Sequence, residues 1–287
     1  MTYGLLSALA WGISTLLAAI AARRIGALRT VVIGEAAGLV CYGVLFWTGH
    51  FSLRGIGGVA WLLVLAGIIG VAGYLAMYRG LESGHVGLVS AISACYGGVI
   101  VVLSVVLLRE QLTVMAVVGI VATLAGVMVA VLRTGDREAT EAGSSGVKAI
   151  GAVFGLIAAL CYGVGGFLIG RYTVDLGWLV PVVVARGGAM IVLLGLLATP
   201  LRAPAGAKLM PGLAWAIAAG VFDAAGLVFF TRGDQVGLVA VTAAVSSAYP
   251  VIPLVGGLIL FRERLRRQQV GGAILILAGL VLLGVGS

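Results

Sequence analysis

Charge is scarce in this 287-residue chain: 10% of its residues are Asp, Glu, Lys or Arg, against about 25% in a soluble globular domain. With 62% apolar residues and a mean hydropathy of +1.21, that deficit excludes an ordinary water-soluble fold, because helices apolar on every face need lipid as their solvent. Bases are scarce as well. His50 and His85 lie at the ends of apolar runs, and Lys148 and Lys208 lie between them. With no HExxH and no serine beside a basic partner at depth, an intramembrane enzyme is not expected. The three cysteines, Cys41, Cys95 and Cys161, sit inside apolar runs without a CxxC or a neighbouring histidine, so neither a disulfide framework nor a zinc site is implied. No P-loop is present, which argues against ATP-driven pumping by this chain, and no cofactor or metal is expected. The net charge of +8 comes from basic residues scattered between apolar runs. They form no stripe for nucleic acid and read as topology signals.

What is present in quantity is long apolar sequence. A hydrocarbon core of about 30 Å needs roughly 20 apolar residues per helix, and ten runs of that kind are bounded by basic, proline or polar positions. They cover approximately residues 4–22, 30–48, 58–78, 86–108, 113–132, 148–170, 178–199, 211–231, 236–261 and 268–286. The first has no basic region ahead of it and is expected to be a retained helix, not a cleaved leader. Between the fifth and sixth runs lies a Gly/Ser-rich, mixed-charge stretch with the composition of a solvated linker. It divides the chain into residues 1–134, a linker at 135–147, and residues 148–287.

The two halves repeat one another. REQLTVMAVVGIVATLAGVMVAV from Arg109 aligns without a gap on RERLRRQQVGGAILILAGLVLLG from Arg262, an offset of 153 that places Glu110 on Glu263, Gly119 on Gly272 and Gly126 on Gly279. The same offset places Ser93 on Ser246 and Tyr96 on Tyr249. Nearer the start of each half, an offset of 151 places Gly12 on Gly163 and Glu35 on Arg186. An odd number of spans per half makes the second half enter the bilayer in the opposite sense. The expected fold is therefore all-α and integral to the membrane, with ten transmembrane helices as two inverted five-helix repeats around a central cavity. One set of alternate loops carries 13 Lys and Arg residues and the other set carries four. By the positive-inside rule the linker is cytoplasmic and both termini face outward.

Two five-helix halves, each closing on a glutamate, a short polar turn and G-x6-G in an apolar helix, resemble the EamA-type transporters of the drug/metabolite transporter superfamily. The stretches REQLTVMAVVGIVATLAG and YPVIPLVGGLILFRERLRRQQVGGAILILAG carry the resemblance, which extends over nearly the whole chain. It implies a ten-helix basket in a bacterial inner membrane that exports a small metabolite by alternating access. The bacterial amino-acid exporters, including those for aromatic amino acids, are the nearest likeness within it, with efflux of other small metabolites or cationic drugs by the same fold as the alternative. The expected partners are a small-molecule substrate and the lipid bilayer, with no nucleic acid and no obligate protein partner. One departure stands out: CYGGVIVV in the first half has Gly97 where YPVIP in the second half has Pro250.

Ionisable residues within spans are costly to insert and mark partners or water-filled paths. Three lie inside the runs, Glu35, Arg186 and Asp223. Either Glu35 or Asp223 can pair with Arg186, in a coupling role or as a static bridge. Ser90, Ser93 and Tyr96 lie on one face of the fourth run, and Ser246 and Tyr249 repeat the device in the ninth, ahead of Pro250 and Pro253. The functional reading makes these a substrate cavity, with Gly97, Pro250 and Pro253 as hinges; the alternative is close helix packing by small and hydroxyl residues. Tyr74 and Tyr78 lie at i and i+4 on the third run, where aromatic rings suit an apolar or aromatic side chain. Tyr78, next to Arg79, also suits an interfacial aromatic belt with Trp47, Trp61 and Trp178. Trp11 and Tyr162 fall in equivalent mid-span places and complete the candidate binding set. Glu110 and Glu263 precede the fifth and tenth runs, where each is expected to act on the dipole of the helix that follows.

Overall fold

The computed structural model of the chain describes residues 1–82, 89, 92–132, 145–197, 210–252 and 267–286. Among these, every regular element is helical. In the first half these are α1 (Thr2–Ile25), α2 (Ala27–Thr48), α3 (Ala60–Glu82), α4 (Tyr96–Leu103) continued by a π turn (Ser104–Leu108), and α5 (Val114–Leu132). In the second they are α6 (Ser145–Arg171), the single turn α7 (Thr173–Leu176), α8 (Val180–Leu197), α9 (Met210–Val236), α10 (Val239–Ser246) and α11 (Arg267–Gly286). α6 begins inside the stretch expected as linker. Among the described residues, five helices are long and apolar enough to cross a bilayer, within Thr2–Ile25, Ala27–Thr48, Ala60–Gly80, Ile150–Arg171 and Gly212–Val236. Ser90, Pro253 and Glu263, and residues 135–144 of the linker, lie outside the described residues.

The helix ends follow from local chemistry. Arg23 and Arg24 occupy the last turn of α1, where cations complement the dipole. Gly26, at φ +86°, lets the chain reverse directly into α2, and its N–H closes on the Ala22 carbonyl at 2.9 Å. The Thr113 hydroxyl accepts the Ala116 N–H at 3.1 Å and caps α5. Glu110 does something the sequence did not foretell. Its carboxylate accepts the N–H groups of Val239 and Ala240, at 3.0 and 3.1 Å, so it caps α10 in the other half of the chain and not the helix that follows it.

The packing recurs with the halves exchanged. α1 lies along α9 and α6 along α3; α2 meets α9 as α8 meets α3; α5 pairs with α11. Glycines make these close approaches possible. A Cβ on Gly12 would collide with Ile252, and a Cβ on its counterpart Gly163 would collide with Val99. Gly220 sits on the backbone of Gly34 in the same way that Gly67 sits on the backbone of Ala185. Without side chains at these four positions the helix backbones touch, and close contact is what dispersion, the main attraction between helices in lipid, requires. The outer surface is apolar. Trp47 is 84% exposed and Trp61 64%, as a belt facing lipid requires.

Candidate functional site

The exchanged helix pairs enclose a cavity of about 120 Å³. α1 contributes Trp11, α3 contributes Tyr74, Met77 and Tyr78, α4 contributes Tyr96, and α6 contributes Tyr162. Arg186 comes from α8, Asp223 and Phe230 from α9, and Tyr249 from the turn after α10. Trp11 stands edge-on to Tyr96, with ring centroids 6.0 Å apart, and lies 5.5 Å from Phe230. Tyr74 and Tyr162 meet edge to face at 5.2 Å. Such ring arrangements present both faces and edges to a guest and are favoured among aromatic pairs. The position of Trp11 depends on Gly226: a Cβ there would lie 2.5 Å from the indole Cδ1. A glycine among many on an apolar helix gives no sequence signal of that role.

One end of the cavity is ionic. Arg186, 8% exposed, donates to Glu35, to Asp223 at 3.1 Å and to the Tyr74 hydroxyl at 3.0 Å. Tyr74 in turn donates to the other oxygen of Asp223 at 2.7 Å. The pairs weighed from the sequence therefore form together, as a network that includes a tyrosine. Glu35 is buried and lies outside the cavity wall, whereas Asp223 is in it. On the far side of Tyr74 and Tyr78, Glu35 and Asp223 also border a separate pocket of about 20 Å³, room for a single water. Two carboxylates face one guanidinium. With both ionised the cluster has one negative charge in excess.

The two hydroxyl pairs repeat each other across the halves. Tyr96 hydrogen-bonds Ser246 at 2.8 Å, and Tyr249 hydrogen-bonds Ser93 at 3.0 Å. Both serines are fully buried and stand outside the cavity wall. They hold the tyrosines in place. The helix breaks in front of each tyrosine. At Cys95, and at Ala248, Tyr249, Val251 and Ile252, the backbone bonds shift to i→i−3, as in Cys95 N–H to Ile92 and Tyr249 N–H to Ser246. Pro250 lacks a donor and accounts for the second break. The first occurs without a proline, next to Gly97, where a Cβ would lie 2.8 Å from the Ser247 side chain and 2.9 Å from the Ala243 carbonyl. Among the described residues, no cluster of His, Cys, Asp or Glu is arranged to hold a metal ion.

An apolar helix surface around a mixed aromatic and ionic cavity suits a membrane protein that binds small molecules. The chain belongs to the EamA-like transporter family, whose model matches residues 1–132 and again 149–285, and so to the drug/metabolite transporter superfamily. It is a multi-pass membrane protein. One similar solved structure, titled only "Crystal structure of protein", aligns over 99% of this chain and 96% of its own at 17% identity with a TM-score of 0.74. That likeness concerns the fold. No curated protein matches the chain.

Proposed function

We propose that the protein is a secondary transporter that exports amino acids with apolar or aromatic side chains across a bacterial inner membrane by alternating access. The observation that carries this reading is a cavity with two chemically distinct ends. Trp11, Tyr96, Tyr162 and Phe230 supply apolar ring surface, while Asp223 and Arg186 stand in the same wall. An ammonium group finds Asp223, and a side chain finds the rings. In this reading the ten expected spans form two inverted repeats with the linker in the cytoplasm, supported by the exchange of halves in the helix packing. Glu35 and Asp223 are the groups through which a proton is coupled to transport, and the breaks at Cys95 and Pro250 are where the helices bend.

A second reading follows from the charge of the cluster. With two carboxylates for one guanidinium, the site offers more to an ammonium than to a carboxylate. Organic amines and cationic drugs then compete with amino acids. Thermal unfolding of the purified protein in detergent tests the two. A ligand that binds only the folded state raises the melting temperature in proportion to its occupancy. Stabilisation by phenylalanine or leucine that disappears in Asp223→Asn supports the amino-acid reading. Stabilisation by phenethylamine but by neither amino acid replaces it with the second.

A further inference from the structure

Asp234 has no part in the cavity. It lies in the last turns of α9, 1% exposed, and among the described residues neither carboxylate oxygen meets a hydrogen-bond donor. Among the described residues, the charged and polar groups around it are directed elsewhere. On its own helix Arg232 donates to Gln235 at 3.2 Å and lies over the Trp178 ring at 5.1 Å. At the end of α6, Arg171 pairs with Asp175 at 3.4 Å. On α10 the Thr242 hydroxyl is within reach of Asp234, but donates to the Leu238 carbonyl at 3.3 Å. The neighbouring charge is a second carboxylate, Glu110, whose oxygens are occupied by the α10 amides. From α4 the Tyr96 phenol is within electrostatic reach. From α1 Tyr3 packs on the adjacent Gly233, and from α6 Gly170 approaches so closely that a Cβ there would lie 2.6 Å from Oδ2.

An ionised carboxylate is costly in such a place: it is desolvated and lies near another carboxylate, with no hydrogen bond to it among the described residues. A protonated one is a neutral group of ordinary cost. We propose that Asp234 is a proton-binding site, which holds a proton while α6, α9 and α10 are packed as described and releases it to water when that junction opens. The position can be filled without a titratable group, since the offset of 153 places Leu81 there in the first half. α10 connects it to the cavity, with Glu110 on its first turn and Ser246, the partner of Tyr96, on its last. Release of the proton leaves a carboxylate that repels Glu110 and loosens the capped end of α10.

Infrared spectra of the purified protein in lipid test this without any assumption about the transported substrate. The carbonyl stretch of a protonated carboxyl group, shifted by deuterium exchange, is expected near neutral pH in the wild type, and the component due to Asp234 is expected to be lost in Asp234→Asn. Asp234→Leu, which copies the first half of the chain, serves as a second variant if the amide disturbs folding. It should remove the same band. Phenylalanine counterflow in the wild type is expected to slow by about tenfold for each pH unit above the titration point on that face, as loss of one proton demands. In both variants this fall should be absent, leaving only the pH dependence of the proposed coupling network around Arg186. If neither variant loses a protonated-carboxyl band, or the band persists unchanged through strongly alkaline pH, Asp234 is not a releasable proton site. A requirement for sodium in place of the band would assign the position to a metal cation and overturn the proposal. Failure of counterflow with the band intact would count against the proposed substrate alone.

Discussion

Arg186 is the residue whose loss should cost the protein most. It is the only cation in the described network, and its removal leaves Glu35 and Asp223 facing each other without a counter-charge. Breaking a buried pair from one side costs about 3–5 kcal/mol. Arg186→Met is therefore expected to lower the melting temperature in detergent sharply, and Arg186→Met with Glu35→Gln to recover part of the loss. Gly226→Ala acts on the cavity alone, by displacing Trp11, and should weaken ligand-induced stabilisation several-fold with a small effect on the unliganded melting point. At this scale the sequence was informative in proportion to rarity. Glu35, Arg186 and Asp223 stood out because charges within apolar runs are few, and the repeat already placed Glu35 opposite Arg186. Tyr74 as their bridge was not legible, because a tyrosine next to a cluster of aromatics reads equally well as ring packing. Asp234 was missed for a different reason. The polar stretch TRGDQ suggested that the helix ends near residue 231, whereas α9 runs on to Val236 and carries that carboxylate into the interior.

Among the elements, the crossings and breaks carry the architecture. Gly12 and Gly163 admit Ile252 and Val99 in equivalent contacts, so Gly12→Val and Gly163→Val should each destabilise the protein by about 1–3 kcal/mol through overpacking. Similar losses from the two would support the exchange of halves, and a loss confined to one would not. Replacing Tyr96 or Tyr249 by Phe removes one buried hydroxyl pair and is expected to cost about 1 kcal/mol each, read as a lower unfolding temperature. Apolar run length and bounding charges made the helices readable from sequence, but not their partners. A hydrophobic run carries no record of which neighbour it packs against, so the capping of α10 by Glu110 from the other half was out of reach. The break at Cys95 was legible only through the repeat, which puts Gly97 opposite Pro250; by itself Gly97 is one glycine among 46 and lacks the plain steric signature of proline.

For the whole molecule, the repeat, visible in the sequence as offsets of 151 and 153, becomes a physical arrangement in which each half supplies to the other what it receives. The cavity lies where they meet, with rings from both halves and with the Glu35 and Arg186 ion pair joining them. Transport by alternating access requires the two halves to shift about that meeting place. The central claim is that small ammonium-bearing metabolites cross the membrane through this cavity. Counterflow of radiolabelled amino acids into proteoliposomes, with and without a proton gradient, tests it directly when wild type and Asp223→Asn are compared. The expected result is saturable exchange of phenylalanine or leucine by the wild type that falls at least tenfold in the variant. Exchange that is undiminished in Asp223→Asn, or wild-type protein that moves neither amino acids nor their amines, would contradict it.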